Sequence, residues 1–412
     1  MVVTPRSPLT RADDLAGPRP ELLSLLGGHF ARAEPRDRAL AYVRALLADP
    51  TRGSAAEIAA QAGADSAWST QRLLTRAVWD ADRLRDSVRD HVVPLLGTSG
   101  PCLVLRRHET ARAGTGAVAV APASPSPAAQ PPASPAPSRS VAASPAPPSP
   151  VSAFPASGPP RGPASGAAAP QAVSRVAGRD RHTQVAALLC YVSRDRGALI
   201  DRELHLPPSW VADPGRCARA GVPAERVRPR NMADLGREML ERALAGGVPV
   251  GAVFGGPDFA DPRLRRWMCH LRLPFCVELP QLPHPSTAEA DPVAPRGEAG
   301  REETWQLLGR GLGSVYGHPA PGFRLTLLAR RLPSGQISRF LLHAPATTPD
   351  LPAARAMAAA GAAAALAVHE ADTRAGLSSH QVRTWVAWYR HTTLAMTAAA
   401  LRLERNRAAP TS

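Results

Sequence analysis

The side chains best suited to a chemical task in this sequence are arginines at helical spacing. Arg263, Arg265 and Arg266 fall in one basic stretch, Arg383 and Arg390 in another, and Arg72 and Arg76 stand beside Gln71 in a third. A guanidinium offers several N–H donors in one plane and grips phosphate oxygens as a fork. The same spacing also makes an ordinary solvated helix face. Residues for acid–base, nucleophilic or metal chemistry are sparse by comparison. His369–Glu370 begins like HExxH, but position 373 is Thr, so the second ligand of a zinc helix is missing. His108, His182 and His380 have no metal-ligand spacing and read as structural histidines. Cys102, Cys190, Cys217, Cys269 and Cys276 contain no CxxC pair, which argues against a zinc ribbon and a secreted disulfide framework. Gly309, Gly311 and Gly313 form a GxGxG run, but it follows EETWQLL, which reads as helix rather than the strand a dinucleotide turn requires. No GxSxG elbow and no Walker-type loop occurs.

The charge balance supports the arginine reading. The 412 residues carry 49 basic side chains, all arginine, against 34 acidic ones, for a net charge of +15 and a pI near 11.1. An excess of this size is the electrostatic footprint of a nucleic-acid binder. Codon bias in a GC-rich genome is the competing explanation, since Arg, Ala, Pro and Gly are all abundant. The N-terminus MVVTPRSPLTRADD has no apolar core of a signal peptide. The alanine-rich run Ala356 to Val368 falls short of the ~20 residues of a membrane span. The expectation is a soluble, cytoplasmic chain with no membrane partner.

These side chains need elements to hold them, and composition divides the chain. Residues 1–97 read as a helical N-terminal domain. Ala31 to Leu47 places Ala39, Tyr42, Val43, Leu46 and Leu47 on one face. Ser54 to Gln61 and Ser66 to Arg76 read as two short helices around Gly63, a helix-turn-helix-like pattern that a plain packing hairpin would also give. Residues 98–117 carry a strand, and from 118 to 172 the sequence turns to Pro, Ala and Ser. Such a segment buries too little apolar surface to offset its ordering entropy and reads as a disordered insertion. Residues 173–400 return to an α/β pattern: strands at Gln184 to Val192, Leu199 to Leu204, Val248 to Phe254, Pro274 to Leu279, Phe323 to Ala329 and Ser338 to His343, with helices at Met232 to Ala245 and Asp261 to Leu271. A tail, 401–412, closes the chain. Trp267, Trp385, Trp388 and Tyr389 recur at core spacing and read as packing.

Several stretches resemble the bacterial DDE-type insertion-sequence transposases. They are Phe30 to Leu47, Leu73 to Val93, Ala177 to Asp213 (the most family-like), Gly221 to Val227, Asp261 to Trp267 and His380 to Met396, in family order over nearly the whole chain outside the insertion. The resemblance implies an α/β, RNase H-like core split by the Pro/Ala/Ser insertion. It also implies duplex DNA resembling a transposon end as partner, and it leaves a homodimer open. By the same resemblance the helices bearing Arg263, Arg265, Arg266, Arg383 and Arg390 flank the site and could contact phosphates. Arg72 and Arg76, in the second helix of the helix-turn-helix-like pair, could reach DNA through a major groove.

The family's chemistry uses an Asp, Asp, Glu triad holding two divalent ions, Mg²⁺ or Mn²⁺, about 3.5–4 Å apart. By resemblance the first acid belongs at the end of the strand CLVLRRHETARAG, where this chain has His108. Glu109 adjoins it, but neighbouring strand residues face opposite ways. The second position falls on Gly256 in VFGGPDFADPRL, with Asp258 the nearest substitute. The third lies in a helix whose signature positions fall on Ala358, Gly361, Ala365 and Asp372. Glu370, five residues beyond Ala365, would sit roughly 140° around the helix. A metal site of this kind acts as a unit. The expectation is a catalytically inactive, DNA-binding regulator or remnant with no cofactor. An active endonuclease built on Glu109 and Asp258 with Mg²⁺ or Mn²⁺, and a scaffold acting through the Pro-rich segment, are the alternatives.

Overall fold

The computed structural model describes residues 25–48, 55–61, 67–123, 181–280, 303–311 and 313–408. Four helices come first: α1 (Ala33–Ala48), α2 (Ala55–Gln61), α3 (Ala67–Thr75) and α4 (Ala81–Leu96). Asp80 starts α4 by accepting from the Asp82 and Arg83 amides, satisfying donors that no helical carbonyl reaches. The strands β1 (Cys102–Ala113), β2 (Val120–Pro122), β3 (Arg181–Ser193) and β4 (Arg196–Leu204) follow, then two short helices, α5 (Pro208–Val211) and α6 (Pro214–Arg219). Next come α7 (Met232–Ala245), β5 (Ala252–Gly255), α8 (Pro262–His270) and β6 (Phe275–Leu279). The chain ends with β7 (Thr304–Arg310), α9 (Gly313–Tyr316), β8 (Phe323–Arg331), β9 (Ile337–Pro345), α10 (Asp350–Ala375) and α11 (Trp385–Ala408).

All nine described strands form one mixed sheet, in the order β2-β3-β1-β5-β6-β9-β8-β7, with β4 also paired to β3. β1 is antiparallel to β3, and β3 to β4, while β5 and β6 run parallel to β1. The remaining strands continue antiparallel from β6 through β9 and β8 to β7. Parallel neighbours require a crossover, and α7 and α8 lie in the connections to β5 and β6.

Helices and sheet share one core. Leu26, Tyr42, Leu46 and Leu84 belong to the same buried cluster as Leu103, Tyr191, Phe275 and Phe340. The described helices α1 and α4 therefore pack into one core with the sheet. α10 packs along the sheet and is met by α11, which also packs on α1, α3, α4 and β4. Among the described residues α10 alone is long and apolar enough to cross a membrane by length and composition. It is longer than its alanine run suggested, and its inner face is buried through Ala354, Ala358, Gly361, Ala364 and Val368. At Gly361 an added Cβ would lie 2.5 Å from the Phe254 ring, so glycine sets how closely the helix approaches β5.

Two local expectations give way. EETWQLL is not helix: Thr304–Arg310 is the strand β7, because Trp305 is buried against Phe340 at a ring distance of 5.1 Å and the backbone pairs with β8. Tertiary packing overrides local periodicity here. The start of the stretch that composition reads as disordered, residues 118–123, is packed into the fold. Val118, Ala119 and Val120 are buried, Gln184 Nε2 donates to Val118 O (2.6 Å), and Trp210 Nε1 donates to Val120 O (2.8 Å). The run AVAV can fill a core, whereas residues 124–172 of that segment lie outside the described residues.

Candidate functional site

Alternation along β1 sorts its side chains between two faces. Leu105 faces α7, where its Cδ1 lies near Gly236. Arg107 shares that side with Asp258, pairing at 3.1 Å. Arg106, His108, Thr110 and Arg112 face the other way, toward α10 and the turn leading to α11. Arg106 Nη1 donates to Gly361 O (3.3 Å), and Arg112 Nη1 donates to Ser378 O (3.1 Å) and His380 O (2.7 Å). Register brings the end of β5 alongside, with Leu105 opposite Gly255.

His108 is the centre of a polar cluster. Its Nε2 lies 2.8 Å from Ser378 Oγ, and Ser378 Oγ donates to Asp372 Oδ1 (2.7 Å). With the Ser378 proton on Asp372, the His108 ring N–H donates to Ser378, which fixes the ring's tautomer. Thr110 Oγ1 adds a contact to Ser378 at 3.1 Å. Ser378 is held there because α10 stops at Gly376, whose left-handed φ of 67° turns the chain back toward β1 without the cost a side chain would incur. A cavity of about 10 Å³ opens between His108, Thr110, Gln184, His380, Trp388 and Thr392, room for roughly one water.

Positive charge and burial dominate this interior. Burial lowers the His108 pKa; Asp372 pulls it up, and Arg112 and Arg106 pull it down. His380 is held well below its ordinary value by burial, His391 and Arg112, and burial brings the Arg112 guanidinium down to about 10. His380 and His391 pack with ring centroids 4.6 Å apart. Burial disfavours the protonated imidazoles, and Arg106 and Arg112 bring positive charge to the cluster.

The sequence-predicted residues are distributed as follows. His108 and Asp372, the latter the last of the four positions counted along α10, do meet, through Ser378. Ala365 is half-buried on α10, and Gly256 caps a short 3₁₀ turn at Pro257–Phe259. Neither supplies an oxygen ligand from a side chain. Glu109 and Asp258 come together on the far face, with Arg107 between them: Arg107 Nε donates to Glu109 Oε1 (2.7 Å) and Nη1 to Asp258 Oδ1 (3.1 Å). Among the described residues no group of three or more His, Cys, Asp or Glu side chains is placed to hold a metal ion.

Of the seven arginines, Arg72, Arg76, Arg263, Arg266 and Arg383 are exposed. Arg265 and Arg390 are not surface phosphate ligands. Arg265 is buried and donates to Ala260 O (3.1 Å) and Tyr316 O (3.0 Å). Arg390 donates to Leu73 O (3.5 Å), Leu74 O (3.3 Å) and Trp79 O (3.0 Å), tying α11 to the end of α3. Unpaired carbonyls at helix ends and turns draw them in.

Sequence reasoning missed Arg106, Thr110, Arg112 and Ser378, whose association spans some 270 residues of chain. Strand alternation would have put Arg106, Thr110 and Arg112 on the His108 face. The family-like stretch ending at Asp213 also proves structural. Asp201 is bound by Arg85 (3.3 Å) and Arg242 (2.9 Å), and Glu203 by Tyr389 Oη (2.8 Å) and Arg226 (3.4 Å). This buried network joins α4, β4, α7 and α11.

Comparison with known proteins adds two findings. The family described as DDE superfamily endonuclease matches residues 25–123 and 138–310, more than half of the chain. Among solved structures, the chain is similar to a cryo-EM structure of the piggyBac transposase synaptic complex with hairpin DNA. The identity is 9% and the TM-score 0.45, over 93% of this chain and 68% of that one. No curated protein matches its sequence.

Proposed function

Since the chain belongs to the DDE superfamily endonuclease family, we propose that it is a transposase-like protein that binds DNA and no longer cuts it. The strand order β4-β3-β1-β5-β6, with three antiparallel strands followed by two parallel to β1, supports an RNase H-like core. In such a core the family's metal-binding acids would gather where β1, the end of β5 and α10 converge.

One observation carries the proposal: that convergence holds Arg106, His108 and Arg112, and its carboxylate, Asp372, is engaged by Ser378. Divalent metals are typical of the family, and this donor set does not fit them. Mg²⁺ and Mn²⁺ want several oxygen ligands, whereas guanidinium groups here repel a cation. Glu109 and Asp258 are instead bridged by Arg107, whose guanidinium takes the place between them that a cation would need. The exposed Arg72, Arg76, Arg263, Arg266 and Arg383, on a chain of net charge +15, supply the phosphate contacts instead.

A salt titration of binding to duplex DNA, followed by Mg²⁺ or Mn²⁺ on supercoiled plasmid, tests this. Binding that weakens steeply with salt, without nicking, is the expected result. Metal-dependent nicking lost in Asp258→Ala would overturn it.

A further inference from the structure

The outward face of α3 is unlike the rest of the helical region. Its inner side, Ser69, Thr70, Leu73 and Leu74, is buried. The outer side presents Trp68, Gln71, Arg72 and Thr75, all exposed and within a single helical stripe, which the exposed Arg76 continues in the turn just beyond. Trp68 is 57% exposed, a rare position for an indole, and the Arg72 guanidinium lies 5.2 Å from its ring centroid. α3 contains no acid, and neither arginine of the stripe is ion-paired among the described residues. The helix is fixed from behind: Arg390 caps its last carbonyls, Trp79 Nε1 donates to Leu73 O (3.0 Å), and α1, α2 and α11 pack against it. Among the described residues, α3 is held from behind, and its outward face is cationic and carries an exposed aromatic.

The geometry points to α3 as the element that reads duplex DNA, lying in the major groove with Trp68 at its entry. This rests on the reading of the chain as a DNA binder and deepens it. A nine-residue helix extends roughly 13–14 Å and fits a groove about 12 Å wide. Arg72 and Arg76 match guanine edges or phosphates, and Gln71 matches an adenine edge. Trp68, covered on one side by Arg72, offers its remaining apolar surface to thymine methyls and sugars. A protein partner would need acids facing this stripe. DNA supplies negative charge along its whole length, which is why charge complementarity favours it. Arg390, buried behind α3, is a positioning residue in this arrangement, since it holds the helix without reaching the face.

The test uses the full-length chain and a fluorescent random-sequence duplex, with a single-stranded pool of the same composition alongside. Arg72→Ala with Arg76→Ala should weaken duplex binding by about tenfold or more and lower the slope of log K against log salt by about two. Trp68→Ala should weaken binding with little change in slope, and Arg374→Gln, on α10, should change neither. Circular dichroism and melting confirm that these surface variants fold. Sequences enriched from the random pool by the wild type should lose their preference in Gln71→Ala. If the wild type binds duplex and the α3 variants bind it equally, with the same slope and preference, the assignment of α3 fails while the DNA-binding reading stands. If the wild type binds no duplex at low salt, that reading falls and this assignment with it. Loss confined to the single-stranded pool would also overturn the duplex assignment.

Discussion

Tyr42 Oη and His391 Nδ1 lie 2.7 Å apart in the interior, joining α1 to α11 across 349 residues of chain. The His391 Nε2 faces Gly376 O at 3.0 Å. A carbonyl only accepts, so Nε2 carries the proton and Nδ1 accepts from the phenol. Both ring nitrogens are satisfied only while the imidazole is neutral.

That requirement gives a pH dependence. Burial and the nearby Arg112 lower the His391 pKa from 6.5 to about 4, so the unfolded chain binds a proton that the folded one refuses. The contribution is fully present above pH 6.5 and is lost as pH falls through about 4, on the order of 3 kcal/mol in total. His380 and His108, also lowered, act in the same direction. Melting temperatures followed downward from about pH 7 should drop more steeply in wild type than in His391→Gln, which keeps one donor and one acceptor. Parallel profiles would contradict the assignment.

Gly361 supports a packing prediction. Alanine in mid-helix ordinarily gains about 1 kcal/mol over glycine, but here the added Cβ would meet the Phe254 ring. Overpacking should win, and Gly361→Ala should destabilise by about 1–3 kcal/mol in urea unfolding. Phe254→Leu in the same chain should recover part of that loss, as coupled neighbours do. Additive effects would show that the two do not touch.

The charge network around β4 should be intolerant. Asp201 is 4% exposed and takes contacts from Arg85 and Arg242. Asp201→Ala would remove the buried acid that Arg85 and Arg242 share, leaving Arg85 with Asp82 and Asp86 and Arg242 with Glu203, at a cost of about 1.5–3 kcal/mol. Thermal melting is the check, and a loss below about 1 kcal/mol would mean that water reaches the network.

Adjacent arginines on α8 should behave oppositely. Arg265→Ala removes a guanidinium that binds two backbone carbonyls inside the fold and should cost about 2 kcal/mol. Arg266→Ala acts on an exposed side chain and should stay within about 0.5 kcal/mol. Comparable losses would mean that Arg266 also bears on the fold.

Much of the architecture was legible because period and composition are local signals. α1, α3 and α7 fall within a residue or two of their patterns, β3 begins three residues before its apolar run, and β5 is shorter than the apolar run Val248 to Phe254. β7 was misread because its strand state depends on β8 and on the contact between Trp305 and Phe340. The site was legible in part. His108 on β1 and Asp372 on α10 could be counted along the chain. Their association with Arg106, Arg112 and Ser378 could not, since those contacts exist only after α10 folds over β1. Arg265 and Arg390 show the same limit: basic spacing is visible in sequence, but which carbonyls lie within reach is not.

The place of β1 between β3 and β5 has a consequence for synthesis. Both neighbours lie later in the chain, beyond residues 124–180. At ~5–20 residues per second, β1 waits on the order of several seconds after leaving the ribosome with neither edge paired. Unpaired edges invite aggregation, and an apolar run such as Cys102 to Leu105 is the kind that does so. Arg106 and Arg107 follow directly on that run, and Arg112 lies five residues beyond Arg107. On the nascent chain they act as gatekeepers, charges that keep an orphan strand soluble until β3 arrives to cover it.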